Sequence, residues 1–130
     1  MKMKIAIASD MEGAALRSAL AQYLAGQGQE VIDKGENNGA SECAALVAAS
    51  IAGGEAHWGI LVSGAGVGVS IAANRFEGIR ASVCPDTFAV ERGAREEGMN
   101  VLCLGSGSVG VELSKELAAS FVKAVLTREK

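Results

Sequence analysis

Hydrophobic residues along the chain fall into five short runs separated by longer segments in which apolar positions recur with a helical period. The runs are Lys4–Ala8, Gln29–Ile32, Trp58–Val62, Ile79–Val83 and Val101–Leu104. Several are apolar at consecutive positions instead of alternating, the pattern of strands covered on both faces. Between the first two, Leu16, Leu20, Tyr23 and Leu24 fall at i, i+4, i+7 and i+8, one face of a helix. That helix is expected to stop at Gly26-Gln27-Gly28. The Ala-rich segment Ala44–Ile51 ends at Gly53-Gly54, and Val109, Leu113, Leu117 and Phe121 predict a last helix. Asp86, after Pro85, is placed to cap a helix running to about Gly98.

Strands alternating with helices imply βαβ units with right-handed crossovers. The expected fold is α/β: a three-layer α/β/α sandwich, Rossmann-like, on a five-stranded parallel sheet. No linker or repeat divides the sequence, so residues 1–130 are expected to form one domain.

Composition narrows the classes. The chain holds 17 glycines and one proline, which suits frequent tight strand-to-helix turns. Net charge is −3 with no basic run, so nucleic acid is not an expected partner. No stretch approaches the ~20 apolar residues of a membrane span, and Met1-Lys2-Met3-Lys4 leads directly into a strand without a signal-peptide core. Cys43, Cys84 and Cys103 are widely spaced and odd in number. They fit neither a disulfide framework nor a CxxC site, and a reducing cytoplasm is the expected location.

In open parallel sheets, sites lie at the carboxyl ends of strands. This directs attention to Ser9–Glu12, Ser63–Ser70, Cys84–Thr87 and Gly105–Gly110. The second of these reads Ser63-Gly64-Ala65-Gly66-Val67-Gly68-Val69-Ser70. Its glycines let backbone approach a ligand, and the helix that follows aims N–H groups at it. An anion is the matching ligand, either a phosphate or the oxyanion of an enediolate. The P-loop pattern fails because Val69-Ser70 stands where Lys-Ser/Thr is needed. The dinucleotide fingerprint lacks its third glycine at Val69 or Ile71. A tight turn packed for its own sake is the plain alternative.

The run Gly59-Ile60-Leu61-Val62-Ser63-Gly64-Ala65-Gly66-Val67-Gly68-Val69-Ser70-Ile71-Ala72-Ala73-Asn74-Arg75 resembles the ribose-5-phosphate isomerase B / galactose-6-phosphate isomerase family. Lys4–Asp10, Glu30–Gly35, Gly78–Ala81 and Asn100–Ser106 continue the resemblance over nearly the whole chain. It implies an aldose–ketose isomerase that opens a sugar ring and moves a proton between neighbouring carbons through an enediol(ate). It further implies no metal or other cofactor, a sugar or sugar-phosphate ligand, and a homodimer or higher oligomer with shared sites.

Residue by residue, the resemblance departs from its pattern. Asp10 is kept, but Met11 stands where the family has His. Ser63 replaces the usual catalytic Cys, and a serine hydroxyl is a far weaker base than a thiolate. Val69 stands where other members carry Glu. The ring-opening His and the following Asn correspond to Glu96 and Glu97. The family Tyr falls near Ala40, a family Arg near Gly107, and the Gly-Arg-His segment with its phosphate-binding arginines has no counterpart before Lys130. Losing these cations removes charge-assisted bonds worth about 1.5–3 kcal/mol each, which disfavours a phosphorylated pentose.

The expected catalytic residues are therefore Ser63, Glu96 and Glu97. The expected substrate contacts are Asp10, Met11, Gly64, Ala65, Gly66, Val67 and Gly68. Glu12 is a further carboxylate beside the first loop. Each has a plain structural alternative: a helix cap for Asp10, a backbone-bonded turn for Ser63, a solvated charge for the glutamates. Arg92 and Arg95 would pair with these acids or meet an anion. Cys84 reads as a buried thiol, and His57, at a strand entrance, as incidental. The alternative to an isomerase is a catalytically silent member that binds a small anionic or sugar ligand or serves as a partner subunit.

Overall fold

In the computed structural model, which describes residues 2–128, the chain alternates strands and helices throughout. Met1 and Lys130, the ends of the expected domain, lie outside the described residues. The strands are β1 (Lys4–Ser9), β2 (Glu30–Glu36), β3 (Trp58–Ser63), β4 (Ala81–Val83) and β5 (Val101–Gly105). The helices are α1 (Ala14–Gly26), α2 (Ala40–Ala52), α3 (Val67–Ala73), α4 (Thr87–Glu96) and α5 (Val111–Arg128). All strand pairings are parallel and the order is β2-β1-β3-β5-β4. This is the expected Rossmann-like α/β fold. The strand order reverses between β1 and β3, so the loops leaving those two strands diverge from a shared crevice.

The sequence of the strands explains the two helical layers. Side chains alternate across a strand. Ile5, Ile7, Ile60, Val62, Leu102 and Leu104 face one side and pack with Leu16, Leu20 and Leu24 of α1, Val90 of α4 and Phe121 of α5. Ala6, Ala8, Leu61 and Cys103 face the other and pack with Ala44 and Val47 of α2 and Val69 and Ala72 of α3. The second face is built largely from small residues, so α2 and α3 sit close to the sheet. A methyl added at Gly59 would lie 2.5 Å from a Val47 methyl.

Three details differ from the hydrophobic pattern. The second strand runs on to Glu36, held by Asn37 N–H donating to the Ser9 carbonyl at 2.8 Å. The fourth strand begins at Ala81, because the Arg80 backbone is engaged by the Asn100 side chain (2.8 Å). The Asn74 amide accepts from Ala81 N–H (2.7 Å) and donates to Ala81 C=O (2.8 Å). In the last helix, Val109 precedes the first turn and Leu113 is exposed. The buried stripe runs instead through Ser114, Leu117, Ala118, Phe121, Ala124 and Val125. Asp86 caps α4 as expected, its carboxylate accepting from Ala89 N–H at 2.8 Å.

Candidate active site

Three loops interlock where the carboxyl ends of β1, β3 and β5 meet. Asp10 N–H donates to the Val62 carbonyl (3.2 Å), Ser106 N–H to the Ser63 carbonyl (2.8 Å) and Gly107 N–H to the Gly64 carbonyl (2.9 Å). The packing is close enough to require glycine. A methyl at Gly13 would lie 2.6 Å from the Val62 carbonyl oxygen, and one at Gly105 2.6 Å from that of Ala65. Gly66 has φ +79°, a left-handed turn that sends the chain from β3 into α3.

Ser63 is buried, and its Oγ accepts from Gly66 N–H at 2.8 Å. That bond holds the turn and makes Ser63 a strut of the loop. The N–H groups of Ala65, Val67 and Gly68 have no intramolecular acceptor among the described residues. They are the orphan donors of a turn and a helix start, and they form a surface suited to an oxyanion. Asp10, half-buried beside them, accepts through Oδ1 from Gly13 N–H at 2.9 Å, the local turn bond of a residue closing a strand-to-helix connection.

Met11, in the family His position, is 72% exposed. Glu12 lies over the glycine loop: a methyl on Gly64 would sit 2.5 Å from its Oε1. No hydrogen bond or ion pair engages that carboxylate among the described residues. The chain thus has a carboxylate against the loop, but it comes from the β1 exit and not from α4. Glu96, on α4, pairs with Arg92 across one helical turn at 3.2 Å, both side chains more than half exposed. Glu97 follows α4, its carbonyl accepting from Arg80 Nε at 2.6 Å. It lines a cavity of about 390 Å³ with Asn74, Ile79, Ser82 and Met99. That cavity lies mostly at the amino end of β4, and none of its lining residues belongs to the glycine loop. Within one chain, then, Asp10, Glu12, Ser63 and the loop come together, and Glu96 and Glu97 stand apart.

The thiols are held protonated. Burial is the main cause for Cys43, pushed from its ordinary 9.0 up to about 11 with the Asp10 and Glu42 charges adding to it. Burial likewise raises Cys84 to about 11, with the Ser82 bond opposing and Asp86 adding. Cys103, inside β5, is raised further by burial. None is a ready nucleophile. His57 is at the amino end of β3, its N–H donating to the Lys4 carbonyl at 3.0 Å, far from the loops described here. Among the described residues, no helix is long and apolar enough to cross a membrane.

A parallel sheet with orphan N–H donors and free carboxylate oxygens at its switch point defines a Rossmann-like domain built to act on a small oxygen-rich molecule. Residues 5–130 match the Ribose/Galactose Isomerase family, and the chain belongs to it. It is 42% identical over 125 residues to ribose-5-phosphate isomerase B of Escherichia coli, across 93% of this chain and 84% of that protein. It is 35% identical over 130 residues to 4-deoxy-4-sulfo-D-erythrose isomerase of a Clostridium species, across 96% of this chain and 82% of that one. The solved structure of Clostridium thermocellum ribose-5-phosphate isomerase B superposes with a TM-score of 0.90 at 36% identity, covering 94% of this chain and 85% of that one.

Proposed function

We propose that the chain is an aldose–ketose isomerase for a short sugar phosphate, working through an enediolate held at the Ser63–Ser70 loop. The observation that carries this reading is the set of unengaged N–H groups at Ala65, Val67 and Gly68, beside Asp10 at the sheet's switch point. Donors fixed before the reaction stabilise charge as it develops on the carbonyl oxygen, without reorganisation. Asp10, with one oxygen tied to Gly13 N–H, keeps the other for a substrate hydroxyl. Ser63 preserves the loop instead of acting as the base.

The relatives named above act, by their names, on sugars with a terminal phosphate or sulfonate, which supports an anionic substrate here. The cations for that group are missing from the loop itself. Arg95 of α4 is exposed and has no ion-pair partner among the described residues. A homodimer that laid α4 of one copy over the loop of the other would bring Arg95 to the phosphate. It would bring Glu96 or Glu97 to the ring oxygen as the ring-opening acid. The exposed apolar side chains of Met11 (72%), Val67 (49%), Ile71 (55%) and Phe88 (68%) support an interface on this side. The cytoplasm, where the three thiols stay reduced, is the proposed compartment.

The reading is tested in deuterium oxide with D-ribose 5-phosphate, D-ribose and D-erythrulose 4-phosphate, following deuterium entry beside the carbonyl by NMR. Exchange with at least one phosphorylated sugar is expected. A folded, dimeric protein that exchanges none of them is a ligand-binding or partner subunit and not an isomerase.

A further inference from the structure

An isomerase of this kind needs a base within reach of the carbon next to the carbonyl, and the side chains that look most suited are engaged. Ser63 Oγ is bonded to Gly66 N–H (2.8 Å), Asp10 Oδ1 to Gly13 N–H (2.9 Å) and the Asp86 carboxylate to Ala89 N–H (2.8 Å). Glu42 accepts from Asn38 N–H (2.8 Å), and Asp33 faces Arg17 (3.1 Å). Cys43 and Cys84 are buried thiols.

Glu12 is different in two independent respects. Its carboxylate touches the first glycine of the anion loop, the residue next to Ser63, with Oε1 2.5 Å from where a Gly64 methyl would stand. Its backbone is also pinned. Ser106 Oγ donates to the Glu12 carbonyl at 3.0 Å, and Gly13, next in the chain, lies flat against the Val62 carbonyl. The fixed main chain thus holds an exposed carboxylate, with no hydrogen bond or ion pair among the described residues, at the exit of β3 where the glycine loop begins.

We infer that Glu12 is the catalytic base that carries the proton between the two carbons of the substrate. The inference rests on the isomerase reading above. With an open-chain aldose whose carbonyl oxygen faces the loop, the Glu12 carboxylate removes the proton from the second carbon. The electron pair left behind forms the carbon–carbon double bond, and the carbonyl π pair moves onto oxygen as the enediolate, facing the loop N–H groups. Glu12 then returns the proton to the first carbon. The hydroxyl proton of the second carbon passes to the first oxygen, leaving the ketose. No co-reactant is consumed, and Glu12 ends as it began. The same position explains how a chain with Ser63 and Val69 in the family's base positions keeps a base: the carboxylate comes from the neighbouring strand exit.

The test compares wild type, Glu12→Gln, Glu12→Asp and Gly64→Ala by deuterium exchange and by steady-state kinetics on D-ribose 5-phosphate and D-erythrulose 4-phosphate, with circular dichroism as the check on folding. Glu12→Gln keeps shape and removes the base, so kcat is expected to fall by about 10²–10⁴-fold with KM little changed. Glu12→Asp shortens the reach and should fall between. Gly64→Ala retains the carboxylate but pushes it off the loop, and the exchange rate should fall there too. A Glu12→Gln enzyme with kcat within about threefold of wild type, or one altered in KM alone, overturns the role of Glu12 and leaves the isomerase reading standing. A wild-type protein without exchange on either sugar overturns the isomerase reading and the role of Glu12 together.

Discussion

Ser106 and Glu12, far apart in sequence, are joined by one bond: the Ser106 hydroxyl donates to the Glu12 main-chain carbonyl at 3.0 Å. The loop after β5 thereby fixes the loop after β1. Ser106→Ala removes this bond at a partly solvated position, so the loss of stability should be about 0.5–1.5 kcal/mol. Because Ser106 acts on Glu12 through the backbone, it is a positioning residue. Its removal should lower kcat more than it raises KM, and Ser106→Thr should restore most of the loss. A thermal melt beside steady-state kinetics checks both.

Gly66 is the turn on which the loop depends. At φ +79°, alanine is strained, and its methyl would lie 2.8 Å from a Val83 methyl and 3.0 Å from the Leu104 carbonyl carbon. The second contact is with the backbone of a fully buried strand, where little can shift. Gly66→Ala should destabilise by about 1–3 kcal/mol, the usual range for a non-glycine residue forced into this region. A lowered midpoint in urea with unchanged slope would record it.

Arg17 of α1 reaches the sheet and meets two groups, Ser9 Oγ at 3.1 Å and Asp33 Oδ1 at 3.1 Å. Its side chain is 14% exposed and that of Asp33 40%, so solvent screens one end of the pair. Asp33→Asn leaves the cation with the neutral Ser9 alone. The expected loss, discounted for that screening, is about 1 kcal/mol, shrinking with added salt. Denaturant curves at low and high ionic strength measure it.

The cysteines give a pH prediction with a definite sign. In the folded chain, Cys43 and Cys84 titrate near 11, raised from 9.0 chiefly by burial. Between those values the unfolded thiols lose protons while the folded ones keep them. The folded state therefore binds more protons there, and stability falls as pH rises from 9.0 toward 11. Below that window their contribution is constant. In native protein at neutral pH an alkylating reagent should label none of the thiols rapidly, and in denaturant it should label all of them, as counted by mass spectrometry.

The strands, their parallel pairing and the glycine loop were legible in the sequence because each has a local signature. Ile60-Leu61-Val62 is apolar on both faces, and Gly64, Gly66 and Gly68 recur at every second position. The hydrophobic pattern starts the last helix too early because Val109, in the loop before it, is buried in the same core as Leu117 and Phe121, which mimics a helical repeat. The site was legible only in part. Asp10 and Ser63 stood out by position, but their hydrogen bonds are made within three residues, to Gly13 and Gly66, and no sequence pattern distinguishes a strut from a catalyst. Glu12 was visible only as a charge beside a loop. What singles it out is its contact with Gly64, created when β1 and β3 become neighbours.

The Asn74 amide, which meets Ala81 through both its donor and its acceptor, completes β4 with a single side chain. Outer strands of open sheets are templates on which other chains assemble and from which aggregates grow. Here one side chain stands in for a neighbouring strand at Ala81, occupying the N–H and C=O that a foreign segment would seize there. The first residue of this outer strand is thereby closed to recruitment by an amide.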